Sequence, residues 1–212
     1  MKRIAICGAG GLGKEVLCII NALNEVSKSF EFVGYYDDYS NSNDILGTIN
    51  DVNRISEPMA VVVAVGHPNT RKNIVDRINN HLVEYATLIH PSVIIGDTSK
   101  VEIEPGTIIA AGSILTTDIN LCAHSFINLN CTIGHDVRIG SFSSLMPGVN
   151  IAGNVDIADE VFIGAGSNLI NNLNIGNNAV IGAGSTVIGD IQSNVTAVGV
   201  PARVIKKNNE RT

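Results

Sequence analysis

The chain has 212 residues and no tryptophan, and its four tyrosines and five phenylalanines make up only 4% of it. A core built on stacked aromatics is therefore excluded, and a narrow aliphatic one is favoured. There is no excess of basic residues: 14 Lys and Arg face 20 Asp and Glu, for a net charge of −6. That excludes general nucleic-acid binding, which needs a positive surface, but not capture of a small anion by a local cluster. Cysteine is sparse. Cys7, Cys18, Cys122 and Cys131 show no C-x-x-C spacing, which argues for buried thiols in a reducing compartment rather than a disulfide framework or zinc ribbon. The longest apolar run, Met59 to Val65, is far too short to span a bilayer. Met1-Lys2-Arg3 precedes an apolar stretch that breaks at once on Gly8, so the start reads as a first strand rather than a signal peptide. The expectation is a soluble, cytoplasmic protein with no membrane partner.

What is present is a period. From Ile103 to Val187 every sixth residue is Ile, Leu or Val, fifteen in succession. No helix or ordinary sheet needs that spacing. A coiled prism does, with six residues to a side and eighteen to a turn, and hexapeptide repeats of this kind mark a parallel β-helix. A second column stands four residues after each of these positions. It is small or β-branched, as in Thr107, Ser113, Ser125, Cys131, Val137 and Ser143. Both columns point inward, because side chains two apart on a strand share a face. Glycine and asparagine crowd the remaining positions, where corners need a positive φ.

The first 86 residues lack the period and alternate strand with helix. Ile4 to Cys7 reads as a strand and Lys14 to Leu23 as a helix, with Gly8-Ala9-Gly10-Gly11-Leu12-Gly13 between them. This is G-x-G-x-x-G in the context that lets a backbone approach a phosphate at a helix N-terminus. Phe30 to Tyr36 reads as a strand ending in Asp37-Asp38, near where a ribose-binding acid would lie. Met59 to Val65 ends in Gly66-His67, followed by a helix from about Thr70 to Asn80 with Arg71 and Lys72 in its first turn. Leu82 to Ala86 is the last strand. Domains are expected at 1–86, 87–205 and, as a C-terminal tail, 206–212. A nicotinamide oxidoreductase is disfavoured, because a second βαβαβ half is replaced by the coil.

Within the coil, His135 stands two residues after Ile133, outside the inward columns, and Asp136 follows it. One coil on lies Gly153, whose N–H has no side chain to shield it. A histidine, a carboxylate and a bare N–H are the minimum set for acyl transfer: proton acceptor, orienting group and oxyanion donor. The other reading of His135 is an ordinary surface histidine. His67, at a strand end, could touch a ligand; His81, His90 and His124 are weaker candidates. No spacing here suits a metal site.

These residues resemble a known group. Gly8 to Gly13, Tyr36-Asp37-Asp38, Ala64-Val65-Gly66 with Arg71, Ile89-His90-Pro91-Ser92, His135-Asp136, Ala152-Gly153-Asn154-Val155 and Gly199-Val200-Pro201-Ala202-Arg203 are similar to hexapeptide-repeat sugar acyltransferases. The likeness is to the sialic acid O-acetyltransferase (NeuD-like) and bacillosamine N-acetyltransferase (PglD-like) type, over nearly the whole chain. The resemblance implies an α/β Rossmann-like domain followed by a left-handed parallel β-helix. It implies a homotrimer with active sites at subunit interfaces, acetyl-CoA as co-substrate, no metal, and a nucleotide-linked amino sugar as acceptor. By the same likeness His135 is the general base, Asp136 its partner and Asn128 an asparagine near the reacting centre. Gly153, Ser144, Gly182, Ala183, Pro201 and Arg203 fall to acetyl-CoA; Lys206 and Lys207 are assigned to its phosphates on charge alone, not by the likeness. Gly10, Gly11, Leu12, Asp37, Asp38, Gly66 and His67 fall to the nucleotide-sugar. Relatives carry histidine at the places of Leu12 and Ser144, and some carry glutamate at that of Asp136. The leading expectation is N-acetylation of the sugar amine. The alternatives are O-acetylation of sialic acid or another sugar, and a non-catalytic nucleotide-sugar-binding scaffold.

Overall fold

The structure, a computed structural model, describes residues 1–208. The chain forms two compact units, Met1–Pro91 and Ser92–Thr212. The first is a parallel sheet of β1 (Lys2–Cys7), β2 (Phe30–Tyr36), β3 (Ile45–Gly47), β4 (Met59–Val63) and β5 (Val83–Tyr85) in the order β3-β2-β1-β4-β5. Helix α1 (Gly11–Ser27) joins β1 to β2, and α2 (Pro68–Arg77) joins β4 to β5. The two central strands are buried on both faces: Ile4 to Cys7 have no exposed surface, and all five residues of β4 are buried. That is why they read as continuous apolar runs rather than alternating ones. Strand order reverses between β1 and β4. In open α/β sheets the crevice beyond the carboxyl ends of such strands is where ligands bind. Strand β3 and the 3-10 helix Ile49–Arg54 have no counterpart in the sequence reading, since three residues in a polar segment carry no period.

The second unit is a prism with three faces. Thr132–Ile133, Asn150–Ile151 and Asn168–Leu169 are successive strands of the first face; Val137–Ile139, Val155–Ile157 and Leu173–Ile175 of the second; and Phe126–Ile127, Ser144–Leu145 and Phe162–Ile163 of the third. Each strand pairs in parallel with the strand one coil on, as in Ile133↔Ile151, Ile139↔Ile157 and Leu145↔Ile163. The spacing is the eighteen residues the sequence predicts. From Ile109 to Val187 every residue of the aliphatic column is at most 3% exposed, and the small column from Thr107 to Ser185 is equally buried. Each such aliphatic contributes about 1.5–3 kcal/mol of transfer free energy. Buried hydroxyls in the small column are not left unpaired. Ser113, Ser143 and Ser167 each donate to a carbonyl in the next coil, at 2.9, 2.7 and 2.9 Å.

The corners obey a second rule. Every sixth residue from Gly106 to Gly184 has a positive φ, whatever its type, including His124 (57°), Asp136 (57°), Phe142 (60°) and Glu160 (59°). A side chain in that region is strained, so closure of the coil decides the conformation there, and local preference does not. The period slips at both ends: Ile95 pairs with Leu115, twenty residues on, and Ile181 with Ala197, sixteen on. The last coil closes with an antiparallel pair, Val195–Gly199 and Ala202–Lys207. Lys206 and Lys207 thus end a strand, and residues 209–212 of the expected tail lie outside the described residues.

Candidate active site

His135 and Asp136 turn the corner between the first and second faces. In a flat strand neighbouring side chains diverge. Here the positive φ of Asp136 folds its carboxylate back, and His135 Nδ1 meets Asp136 Oδ2 at 2.7 Å. A carboxylate only accepts, so Nδ1 carries the proton, and the lone pair of Nε2 is left for an incoming group; the tautomer is assigned from this contact. Both side chains are more than 60% exposed, so a substrate can reach them. The ring lies over Gly153. A Cβ built there would stand 2.5 Å from both Cε1 and Nε2. The Gly153 N–H donates to no backbone acceptor among the described residues, nor do the equivalent N–H groups of Thr117 and Asn171. What sets Gly153 apart is the missing side chain and the imidazole above it.

The other expected coil residues lie elsewhere on the prism. Asn128 and Gly182 occupy the corner between the third and first faces, three coils apart. Asn128 is 8% exposed, and its Oδ1 accepts the Leu129 N–H at 2.7 Å. Ala183 is exposed beside Gly182, and Gly164 beneath them has no room for a Cβ, 2.4 Å from the Ala183 nitrogen. Ser144 sits on the third face, fully buried. Pro201 and Arg203 are exposed at the closing hairpin. Within one chain, then, His135, Asp136 and Gly153 share one edge, and Asn128, Gly182 and Ala183 share another.

In the first unit the glycines separate by role. A Cβ at Gly8 would meet the Ala64 carbonyl at 2.8 Å, and one at Gly13 would meet the Gly8 carbonyl at 2.1 Å, so these two serve close packing of strand and helix. A Cβ added at Gly10, at Gly11 or at Gly66 after β4 would meet nothing within 4 Å. Packing does not explain them; open backbone on both sides of the switch point does. Leu12 is half-buried in the first turn of α1, and His67 is the exposed N-cap of α2. Asp37 joins two loops. Its Oδ2 accepts the Ala9 N–H at 2.8 Å, and its Oδ1 accepts those of Tyr39 and Ser40 at 2.8 and 2.9 Å. Burial pushes its pKa up, but the three N–H donors outweigh burial and hold it below the usual carboxylate range. Asp38 is held by Arg77, 2.7 Å from Nη1, and by the Ile49 N–H at 3.0 Å. The partners of Asp38 come from α2 and the 3-10 helix, far along the chain and with no period to announce them.

Comparison with known proteins agrees in both units. Residues 3–78 match the PglD N-terminal domain. GDP-perosamine N-acetyltransferase of Escherichia coli O157:H7 is 27% identical over 172 residues, covering 78% of this chain and 76% of that protein. UDP-N-acetylbacillosamine N-acetyltransferase of Bacillus subtilis (strain 168) is 33% identical over 120 residues, 52% of each chain. The acetyltransferase domain of PglB from Neisseria gonorrhoeae FA1090 superposes over 97% of this chain and 100% of its own, with a TM-score of 0.88 at 26% identity. Together these matches support a PglD-like hexapeptide-repeat sugar acyltransferase family for this chain.

The departures from the family resemblance now have addresses. Leu12 is at the open end of the glycine loop, and Ser144 is in the third-face ladder between Phe126 and Phe162. Three of the four cysteines are buried, and burial pushes the Cys7 thiol up to about 12 and that of Cys131 to about 11, which makes them poor nucleophiles. Cys18, on the outer side of α1, is exposed, contrary to the reading of four buried thiols. Among the described residues no group of three or more His, Cys, Asp and Glu side chains could hold a metal ion. No helix among them is long and apolar enough to cross a membrane.

Proposed function

We propose that this chain is an acetyl-CoA-dependent N-acetyltransferase acting on the amine of a nucleotide-linked amino sugar, with His135 as general base. The observation that carries it is the imidazole held by Asp136 and seated on Gly153. The names of the perosamine and bacillosamine relatives supply the acceptor class, and the PglB acetyltransferase domain has been solved in complex with acetyl coenzyme A. The amine attacks the thioester carbonyl. His135 Nε2 takes the proton that the nitrogen loses, and Asp136 stabilises the imidazolium. The Gly153 N–H donates to the oxygen on which charge develops. As the C–S bond breaks, the departing thiolate takes up the proton, leaving free CoA and an amide.

The division of the expected residues between two prism edges supports a shared site: one copy supplies His135 and Asp136, and the facing edge of another supplies Asn128, Gly182 and Ala183. That arrangement is the homotrimer the family resemblance implies. The crevice flanked by Gly10, Gly11 and Gly66, with Asp37 and Asp38 bracing its loops, is read as the nucleotide site. Both co-substrates are charged nucleotides that do not cross membranes unaided, so the reaction is read as cytoplasmic.

The test is thiol release from acetyl-CoA with GDP- and UDP-linked 4-amino sugars beside their 4-hydroxyl counterparts. The amines are expected to turn over and the alcohols not; the reverse would make the chain an O-acetyltransferase. His135→Ala is expected to lower turnover about 10²–10⁴-fold without changing the melting temperature. Survival of activity within tenfold removes the base assignment, and absence of turnover in the wild type with every acceptor favours the scaffold.

A further inference from the structure

Arg71 breaks two local rules at once. It sits in the first turn of α2, its N–H bonded to the His67 carbonyl at 3.0 Å, where a cation opposes the helix dipole. It is also 1% exposed, and burying a charge is costly. Burial pushes its pKa down to about 9, which still leaves the guanidinium protonated at neutral pH. A methionine or leucine would fill the same space at lower cost, so stability alone does not account for an arginine here. Its Nη1 donates to the carbonyls of Val65 at 2.7 Å and Gly66 at 3.3 Å. Those two residues form the turn between β4 and α2, on the β4 side of the switch point, and Gly66 has open space where a Cβ would be.

We propose that Arg71 is a positioning residue for the nucleotide-linked sugar: its guanidinium pins the Val65 and Gly66 carbonyls on the protein side of the loop, which keeps the open backbone of Gly66 facing the crevice. This rests on the nucleotide-site reading given above. Arg71 does not touch the ligand. It fixes the wall against which the diphosphate end lies, and its buried charge adds attraction for an anion through a medium that screens poorly. A lysine keeps the charge but is a point donor rather than a planar fork, so it restores attraction without the geometry.

The experiment is calorimetric titration of the full-length protein with GDP, UDP and CoA. The wild type is expected to bind GDP or UDP in the first unit. In Arg71→Gln that nucleotide is expected to bind at least tenfold more weakly, with CoA affinity within twofold of wild type. Arg71→Lys is expected to lie between, about three- to fivefold weaker than wild type. A purely structural arginine would lower the melting temperature and leave the affinity of the folded fraction unmoved. If the wild type binds neither nucleotide, the nucleotide-site reading fails and this proposal with it. If the wild type binds and folded Arg71→Gln binds within twofold of it, the positioning role alone is overturned. If Arg71→Gln does not fold, Arg71→Lys decides in the same way, and wild-type affinity in it overturns the role.

Discussion

The two units solve the problem of holding a ligand against backbone in opposite ways. The first unit is aperiodic, and each residue of its crevice has a brace of its own: Asp37 by Ala9, 28 residues away, Asp38 by Arg77, 39 away, and Gly66 by Arg71 in the next helix. The coil is periodic, and each residue of its site is placed by the coil above or below, as Gly153 seats His135 from eighteen residues away. In the coil one rule fixes many positions, so the site is as rigid as the ladder beneath it. In the first unit each position has its own cause and can be lost separately.

The largest effect is expected where the ladder itself is broken. Ile163 has no exposed surface, and Ile163→Asp would place an unpaired carboxylate among aliphatics, at a cost of several kcal/mol. The expected outcome is loss of the β signal in circular dichroism and aggregation on size-exclusion chromatography. A soluble, folded variant would show that the inward column is misassigned. Glycine substitutions then separate site from scaffold. In Gly153→Ala the three atoms nearest the methyl all belong to the His135 ring, an exposed side chain that can turn away at the expense of its contact with Asp136. Turnover is expected to fall about 100-fold with the melting temperature within about 2 °C. In Gly164→Ala the methyl meets the Ala183 backbone at 2.4 Å, so the melting temperature is expected to fall by several degrees. The same contrast holds in the first unit. Gly13→Ala strikes the Gly8 carbonyl and is expected to destabilise that unit by about 2 kcal/mol or more. Gly10→Ala strikes nothing, and is expected to melt as wild type while binding nucleotide severalfold more weakly. Equal affinity in Gly10→Ala and wild type would mean that the open loop faces no ligand.

The contrast also explains what the sequence disclosed. The coil was legible residue by residue from Ile109 to Val187, because its period exceeds any local preference. The period weakens at Ile103, which is only half-buried, and it ends where the coil gains two residues before Val101 and loses two after Val187. The positive φ of Phe142 and Glu160 was not legible, because those side chains do not favour it and only closure imposes it. In the first unit, strands and helices were legible from apolar runs and glycines, to within a few residues. The links of Asp37 to Ala9 and of Asp38 to Arg77 were not, since they span 28 and 39 residues with no period to reveal them. The His135–Asp136 contact was foreseen as a possibility of a corner, and the 57° φ of Asp136 realises it.

The smallest effect distinguishes the units by acid. Asp38 is held below its ordinary range first by its hydrogen bonds from Arg77, against the opposing pull of burial, and by the Ile49 N–H. Asp37 is held low by backbone donors that outweigh its burial. A depressed folded pKa contributes stability that is present above the unfolded value of about 3.9 and is lost as pH falls through the folded one. The coil's aliphatic ladder carries no carboxylate, and Asp97, held low by Ser99, sits in the irregular first turn outside it. The first unit is therefore expected to loosen at higher pH than the coil. All four tyrosines, Tyr35, Tyr36, Tyr39 and Tyr85, lie in the first unit, and no tryptophan obscures them. Tyrosine emission thus reports that unit, while the far-ultraviolet β signal is dominated by the coil. On titration from pH 6 to pH 2 the emission is expected to change before the β signal. Asp37→Asn, which cannot titrate, is expected to narrow the gap between the two transitions. Coincident transitions in the wild type would mean that the two units unfold as one, and that the carboxylate braces of the first are not what acid breaks.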